Sequence, residues 1–246
     1  MMPCMSNSDT KPAVYPITVA TLFPDMFPGP LGVSITGRAM EKGLWQCKTV
    51  DIRSFGLGKH SEVDDTPYGG GAGMLMRADV VASAIRKAKE GTPDAKVLFL
   101  TPSGKPFKQA DAQRLAAHEG GVILLCGHYE GIDQRVLDSD VDEEISIGDY
   151  VLSGGELGAM VVADSIIRNL SGTLGNSTTL HEESFDITTE DGEQLVEYPH
   201  YTRPETWEGK EVPAVLKSGH HGEIAKWRHN QAVERTKERR PDLLKK

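Results

Sequence analysis

The chain has 246 residues, of which 38% are hydrophobic and 26% are charged, and its formal net charge is −9. These values are typical of a globular protein, and no apolar run approaches the roughly 18 residues that would span a membrane. Its three cysteines, Cys4, Cys47 and Cys126, are too widely spaced to predict a disulfide framework or a zinc site, so the expected compartment is the cytoplasm.

The pattern along the chain predicts a main domain followed by a small basic one. Residues 1–13 lack a basic region followed by an apolar core, which predicts a disordered leader rather than a signal peptide. The main domain is predicted over 14–171, an acidic interdomain linker over 172–200, and a helical domain over 201–246. The last segment holds 11 Lys and Arg against 7 Asp and Glu, so it can bind a polyanion although the whole chain is acidic.

Short apolar runs rich in branched residues alternate with amphipathic stretches. Strands are predicted at Tyr15–Leu22, Lys48–Ile52, Lys96–Leu100, Gly121–Cys126 and Glu144–Ile147. Helices are predicted at 78–91, 108–121, 156–170 and 222–240. Strands that alternate with helices in this way indicate an α/β domain with a mostly parallel sheet.

Three loops marked by glycine or proline follow predicted strands, at 100–107, 126–135 and 146–156. In a parallel α/β sheet, ligands bind beyond the carboxyl ends of the strands, where such loops meet. The alternative for each loop is that its glycines only permit a tight connection. Three such loops together favour a ligand site at one edge of the sheet.

The third loop lacks both the lysine of a phosphate-binding loop and a dinucleotide fingerprint. Its backbone groups at 147–152 therefore suit a neutral ring or a ribose better than a triphosphate. Gly154 and Gly155 leave room for a close approach. Ser153, followed three residues later by Glu156, is a capping-box pattern that predicts the start of a helix there.

Several long motifs resemble one known family. They are TLFPDMF (21–27), DDTPYGGGAGMLM (64–76), CGHYEGID (126–133), SIGDYVLSGGEL (146–157), PHYTRP (199–204) and VPAVLKSGHHGEIAKWR (212–228), with RRPDLL at 239–244. In this order they resemble the bacterial tRNA (guanine-N1)-methyltransferases, the TrmD family of SPOUT methyltransferases, over nearly the whole chain after residue 13. The resemblance implies a deep trefoil knot in the α/β domain and an obligate homodimer whose active sites lie at the interface.

The family resemblance also implies the reaction and the cofactor site. A methyl group passes from S-adenosylmethionine to N1 of the guanosine directly 3′ of the tRNA anticodon. The cofactor contacts carry over to residues of the same three loops, mostly as backbone contacts to adenine and ribose: Leu100, Pro102, Gly127, Tyr129, Glu130, Ile147, Gly148, Asp149, Tyr150, Val151, Leu152, Gly154 and Gly155. A divalent ion such as magnesium is compatible with this chemistry, but no residue pattern predicts a metal site.

Methylation of N1 requires a base that removes its proton and a cation near O6. The resemblance implies that Arg168, near the end of the helix after the glycine pair, serves O6. It implies a base from the other subunit at Glu183, where the family commonly has Asp, with Asp186 as the fallback. Spacing alone would equally assign Arg168 to stabilising a helix end and Glu183 and Asp186 to a solvated linker.

The C-terminal segment is the expected tRNA-binding part of this family. Arg203, Lys226, Arg228 and Arg235 are the candidate phosphate contacts there, although a charge run is often only a solvated face. His128 is interpreted as a structural residue or a phosphate contact rather than a general base. A nicotinamide enzyme is disfavoured because no glycine fingerprint follows the first strand. A SPOUT enzyme with another RNA target and a non-catalytic RNA-binding module stay as alternatives.

Overall fold

A computed structural model describes residues 14–175 and 183–244 of the chain. The predicted leader at 1–13 and the stretch 176–182 of the predicted linker lie outside the described residues. The chain divides into two compact units, Met1–Leu174 and Gly175–Lys246. Within the described part, no helix is long and apolar enough to cross a membrane.

The first unit alternates strands and helices. Its strands are β1 (Tyr15–Thr21), β2 (Trp45–Asp51), β3 (Asp64–Asp65), β4 (Leu75–Met76), β5 (Lys96–Pro106), β6 (Val122–Cys126) and β7 (Glu143–Ser146). Its helices are α1 (Ser34–Glu41), α2 (Ala78–Lys89), α3 (Gln109–Ala116), α4 (Gln134–Asp140) and α5 (Glu156–Asn169). The predicted strands and the helices predicted at 78–91, 108–121 and 156–170 are therefore confirmed in place, whereas the short α1 and α4 were not predicted.

Five strands form one parallel sheet in the order β2-β1-β6-β5-β7, which confirms the predicted α/β class. Successive side chains of a strand point to opposite faces, so a strand covered on both faces is apolar throughout. On β6, Leu124 and Cys126 join the hydrophobic core that includes α1, α3 and α5. Ile123 and Leu125 join the core that includes α2 and α4. Helices therefore cover both faces, and the carboxyl edge of the sheet is left for loops.

Three predicted boundaries are wrong by three or more residues, and one of them is the start of β2, at Trp45 rather than Lys48. β5 continues to Pro106 through the stretch predicted as the first loop, with a register shift against β7 between Leu100 and Lys105. The continuation depends on Gly104, because a Cβ there would lie 2.5 Å from the backbone nitrogen of Ile145. α3 ends at Ala116 rather than at 121, since the following residues turn back through a hydrogen bond from Gly121 N to His118 O.

The second unit contains the strands β8 (Thr206–Trp207) and β9 (Lys210–Glu211), which pair antiparallel, and the helices α6 (Ala214–Lys217) and α7 (His221–Arg239). The helix predicted at 222–240 is confirmed as α7. Leu195 and Tyr198 pack with Ala232 of α7 in a small hydrophobic core. Thr236 Oγ1 accepts a hydrogen bond from Val196 N at 2.9 Å. Residues near 195–198, within the predicted linker, therefore form part of this unit's core.

Candidate active site

A cavity of about 270 Å³ opens where residues 100–102 of β5 meet the loops that follow β6 and β7. Its size is close to the lower end of small-molecule pockets, roughly 300–1,000 Å³. Twelve of the predicted cofactor residues line it: Leu100, Pro102, Gly127, Tyr129, Glu130, Ile147, Gly148, Tyr150, Val151, Leu152, Gly154 and Gly155. Asp149 does not line it. The fold thus brings the three predicted segments together at the carboxyl edge of the sheet.

The wall at Ile147–Leu152 offers main-chain groups to a ligand. Tyr150 N donates to Gly148 O at 2.9 Å, and Tyr150 Oη donates to Ile147 O at 3.2 Å. These bonds hold the loop in a tight turn. Within residues 14–175 and 183–244, the N–H groups of Val151 and Leu152 donate to no protein acceptor. They are available to a polar ring atom of a ligand.

The turn into α5 lies directly against the end of β6. Gly155 N donates to Gly127 O at 3.0 Å, which ties the third loop to the second. A Cβ at Gly155 would lie 2.7 Å from Cys126 Cα, closer than Cβ contacts in proteins. Glycine at this position therefore permits the close approach that shapes the cavity.

The predicted capping box is wrong. The N-cap of α5 is Gly155, and no side chain caps the helix. Glu156 instead turns into the protein, where only 3% of its surface is exposed. Its Oε1 accepts a hydrogen bond from Thr21 Oγ1 at 2.6 Å, and both of its carboxylate oxygens lie 2.9 Å from His128 Nε2. An acid that resembles a helix cap in the sequence is thus a buried partner of two other segments.

His128 lines the cavity and its ring is held on several sides. Its centroid lies 5.0 Å from that of the Phe23 ring, and the backbone N–H of His128 donates to Met76 Sδ at 3.4 Å. The pairing with Glu156 agrees with a structural role of His128, and its alternative role as a phosphate contact stays a prediction. The next residue, Tyr129, has φ of 59°, a left-handed conformation that costs about 1–3 kcal/mol and is typical of ligand-binding turns.

The surroundings of the cavity wall change the pKa of one thiol, that of Cys126. Complete burial at the end of β6, followed by the nearby Glu156 carboxylate, raises the pKa of Cys126 well above its usual value. A thiol of raised pKa is a poor nucleophile at neutral pH. Cys126 therefore contributes packing to the wall of the site rather than covalent chemistry.

The predicted catalytic residues fall in different units. Arg168 is half-buried in the last turn of α5, in the first unit. Glu183 and Asp186 are half-buried in the second unit, where Asp186 N donates to Glu183 O at 3.2 Å. Across the described ranges, no group of three or more His, Cys, Asp or Glu side chains is arranged to hold a metal ion.

The four predicted tRNA contacts have different surroundings. Arg203 and Lys226 are exposed, whereas Arg228 and Arg235 are half-buried on α7. The Arg228 guanidinium lies 4.8 Å from the centroid of the Tyr198 ring. Arg228 therefore also packs within its own unit, while Arg203 and Lys226 have their charged ends at the surface.

Several residues of the site were missed from the sequence. Thr101, Gly131, Ser146 and Ser153 line the cavity beside predicted neighbours, so their place in the same loops was the available signal. The partnership of Glu156 with Thr21 joins positions 135 residues apart. No local pattern reports a contact of that kind.

Comparison with known proteins gives one consistent result. Residues 15–246 match the protein family described as "tRNA (Guanine-1)-methyltransferase TrmD". A protein of Rhizobium johnstonii named tRNA (guanine-N(1)-)-methyltransferase is 54% identical over 229 residues, which cover 93% of this chain and 91% of the relative. Proteins of the same name from Cereibacter sphaeroides and Anaplasma marginale are 52% and 53% identical over 92% of this chain, and over 89% and 93% of their own lengths.

Proposed function

The chain belongs to the tRNA (guanine-1)-methyltransferase family TrmD, and we propose that it methylates N1 of the guanosine directly 3′ of the tRNA anticodon. The observation that carries this proposal is the convergence of all three predicted loop segments on one cavity at the carboxyl edge of the sheet. A tRNA substrate would place the reaction in the cytoplasm.

The residues of the cavity fit S-adenosylmethionine as the methyl donor. When bound, this cofactor supplies a methyl group that is activated on a sulfonium. The N–H groups of Val151 and Leu152 have no protein acceptor in the described part of the chain and suit the adenine ring. The close contact of Gly155 with the end of β6 keeps side chains out of the space that the cofactor needs. The Glu130 carboxylate is the partner that we propose for the polar end of the cofactor.

In the proposed reaction, Arg168 and a carboxylate act on different atoms of guanine, O6 and N1. Removal of the N1 proton leaves negative charge on O6, which a guanidinium stabilises strongly in a site shielded from water. We assign the stabilisation of O6 to Arg168 and the removal of the N1 proton to Glu183, with Asp186 as the alternative base. Glu183 keeps the carboxylate of the family's Asp and adds one methylene of reach.

The base is proposed to come from the partner subunit of a homodimer. The outer face of α5 supports a dimer, because Leu157 and Val161 are 54% and 47% exposed although both are apolar. A symmetric dimer buries the same patch of each subunit against its partner. Such an arrangement places two sites where the subunits meet.

We also propose the trefoil knot for the first unit. Its support is the course of the chain after β7. Residue Gly155 contacts Cys126 at the end of β6, although β5 lies between β6 and β7 in the sheet. The chain therefore returns across the carboxyl edge before α5 packs on the sheet face, as the knotted fold of this family requires.

The second unit is proposed to hold the tRNA. The domain boundaries are proposed at about residues 171 and 201. Arg203 and Lys226 have exposed cationic ends, and Arg228 and Arg235 lie on the same segment. Phosphate contacts of this kind make binding weaker as salt concentration rises. The excess of Lys and Arg after residue 200 agrees with this role.

The decisive experiment is incubation of the purified protein with unmodified tRNA and methyl-labelled S-adenosylmethionine. We expect label at N1 of guanosine in a tRNA with guanosine after the anticodon, and none in a matched tRNA with adenosine there. Label at another position would instead indicate a SPOUT enzyme with a different RNA target. RNA binding without any label would indicate a non-catalytic module.

A further inference from the structure

Thr21, His128 and Glu156 form a polar network between three separate segments of the chain. Thr21 ends β1, His128 belongs to the loop after β6, and Glu156 begins α5. Thr21 Oγ1 lies 2.6 Å from Glu156 Oε1, and His128 Nε2 lies 2.9 Å from both carboxylate oxygens. The network therefore links β1 to two of the loops that form the cavity.

The chemistry of the buried carboxylate gives each bond a direction. The Thr21 hydroxyl donates to Glu156 Oε1, and the carboxylate oxygens act as acceptors for the ring nitrogen of His128. His128 must then carry a hydrogen on Nε2. Phe23 N donates to Thr21 Oγ1 at 2.9 Å, which leaves the hydroxyl hydrogen for Glu156. Donors and acceptors thus match throughout the network, which fixes the rotamers of all three side chains.

The position of the His128 ring affects the positions of two loops that line the cavity. It lines the cavity itself and lies between Gly127 and Tyr129, which also line it. A Cβ at Gly154 would overlap the His128 ring, so the third loop packs directly on the imidazole. A displaced ring would therefore shift both the second and the third loop. Glu156 is the group that holds the ring in place.

We propose that His128 and Glu156 are positioning residues that fix the two loops in the geometry that binds S-adenosylmethionine. Glu156 acts through His128, and Thr21 orients Glu156. This inference rests on the proposed function, because it names the cofactor of that site. It predicts that loss of the network weakens cofactor binding without removing a group that takes part in methyl transfer.

The main test is His128→Phe, which keeps an aromatic ring but removes the donor to Glu156. We expect the Kd for S-adenosylhomocysteine, measured by calorimetry, to rise about tenfold, since small displacements of binding groups have effects of this size or larger. KM for S-adenosylmethionine should rise in parallel while kcat changes by less than about twofold. His128→Gln retains an N–H donor and should bind within about threefold of the unaltered protein.

Tyr15→Phe is the matched control for lost stability. Tyr15 Oη donates to Leu115 O at 2.7 Å, a buried bond at the other end of β1. Its loss should lower the melting temperature but leave the Kd unchanged. Thr21→Val is a milder variant, and serves if His128→Phe does not fold. It should weaken binding by about threefold, because Glu156 keeps one donor.

Three results would overturn the inference. One is a Kd for His128→Phe, or for Thr21→Val, equal to that of the unaltered protein. Another is a fall in kcat with unchanged KM, which would indicate a role in the chemical step. The third is an equal rise in Kd for Tyr15→Phe, which would mean that weaker binding results from lost overall stability. If the unaltered protein itself binds no S-adenosylhomocysteine, the proposed function fails first and this inference fails with it.

Discussion

Arg168 and Glu183 contribute opposite charges to the proposed reaction, and each can be tested alone. In that proposal, Arg168 stabilises the charge that develops on O6, and Glu183 accepts the proton from N1. Neither side chain belongs to the cavity that we assign to the cofactor. Substitutions at these positions should therefore separate turnover from cofactor binding.

Arg168→Ala should lower kcat by about 10²–10³-fold, because it removes the cation that meets the developing oxyanion. The Kd for S-adenosylhomocysteine should stay within about twofold of the unaltered protein. Single-turnover methylation and calorimetry measure the two quantities.

Arg86→Ala is the control for Arg168→Ala, since Arg86 also lies in the last turn of a helix, α2. A cation there stabilises the helix end by about 0.3–1 kcal/mol without any part in the reaction. Equal loss of activity in both variants would contradict a catalytic Arg168.

Glu183→Gln and Asp186→Asn distinguish the two candidate bases. The variant that loses the base should lower kcat about 10²–10⁴-fold, the usual contribution of a general base. We expect this loss for Glu183→Gln and less than about tenfold for Asp186→Asn. Rates are measured under single turnover with saturating cofactor. The reverse order would assign the base to Asp186, and full activity in both would point to a base outside this pair.

At the scale of elements, the start of α5 controls the shape of the cofactor cavity. Gly155 donates to Gly127 O, and the helix begins within contact distance of the end of β6. A displaced α5 would move the third loop and Arg168 together, because both are continuous with the helix. The proposed role of Arg168 would thus couple cofactor binding and catalysis through one helix.

Gly155→Ala should abolish measurable cofactor binding and lower the melting temperature. The added Cβ would lie 2.7 Å from Cys126 Cα, and backbone atoms on both sides must shift. Overpacking of this kind costs about 1–3 kcal/mol of unfolding free energy. Calorimetry and thermal unfolding give the two readouts.

Gly222→Ala is the matched control, in a helix away from the cavity, α7. Its Cβ would meet no atom within 4 Å. Alanine also favours a helix over glycine by about 1 kcal/mol. Gly222→Ala should therefore bind cofactor normally, and equal loss of binding in both variants would contradict the role of Gly155.

Sequence patterns predicted the elements well and the contacts between them poorly. Apolar runs locate the five strands of the sheet, because strands buried on both faces must be apolar throughout. Two of the three cavity segments follow from where β6 and β7 end. The role of Glu156 could not be predicted, since an acid after a glycine pair looks like a helix cap until a partner as distant as Thr21 is known. The extension of β5 likewise depends on pairing with β7.

At the scale of the whole molecule, the proposed active site needs two chains. Arg168 would act in one subunit on a guanosine whose proton is taken by Glu183 of the other. A subunit that lacks only one of these groups could then be complemented by a subunit that lacks only the other. Because a homodimer is symmetric, the fraction of activity that such a mixture should regain can be calculated.

Co-expression of Arg168→Ala and Glu183→Gln chains should restore about a quarter of the unaltered activity. Random pairing makes half of the dimers mixed, and each mixed dimer has one intact site and one doubly altered site. Separately tagged chains allow the mixed dimer to be purified and its methylation rate measured.

The control for complementation pairs Arg168→Ala with a chain that carries both substitutions. No site in that mixture is intact, so no activity should return. Absence of recovery in the first mixture as well would mean that each site is built within one chain, and the shared-site proposal would be withdrawn.

The wall at Ile147–Leu152 also determines which substitutions could make this protein resistant to an inhibitor. Its hydrogen-bonding groups belong to the main chain, and the N–H groups of Val151 and Leu152 persist under every substitution except proline. A competitor that pairs with these amides keeps those bonds when any other side chain is substituted. Resistance would instead have to come through glycines such as Gly155, where a larger residue also harms the cofactor's own binding. A compound aimed at the main chain should therefore select resistant variants rarely, and those variants should bind the cofactor less well.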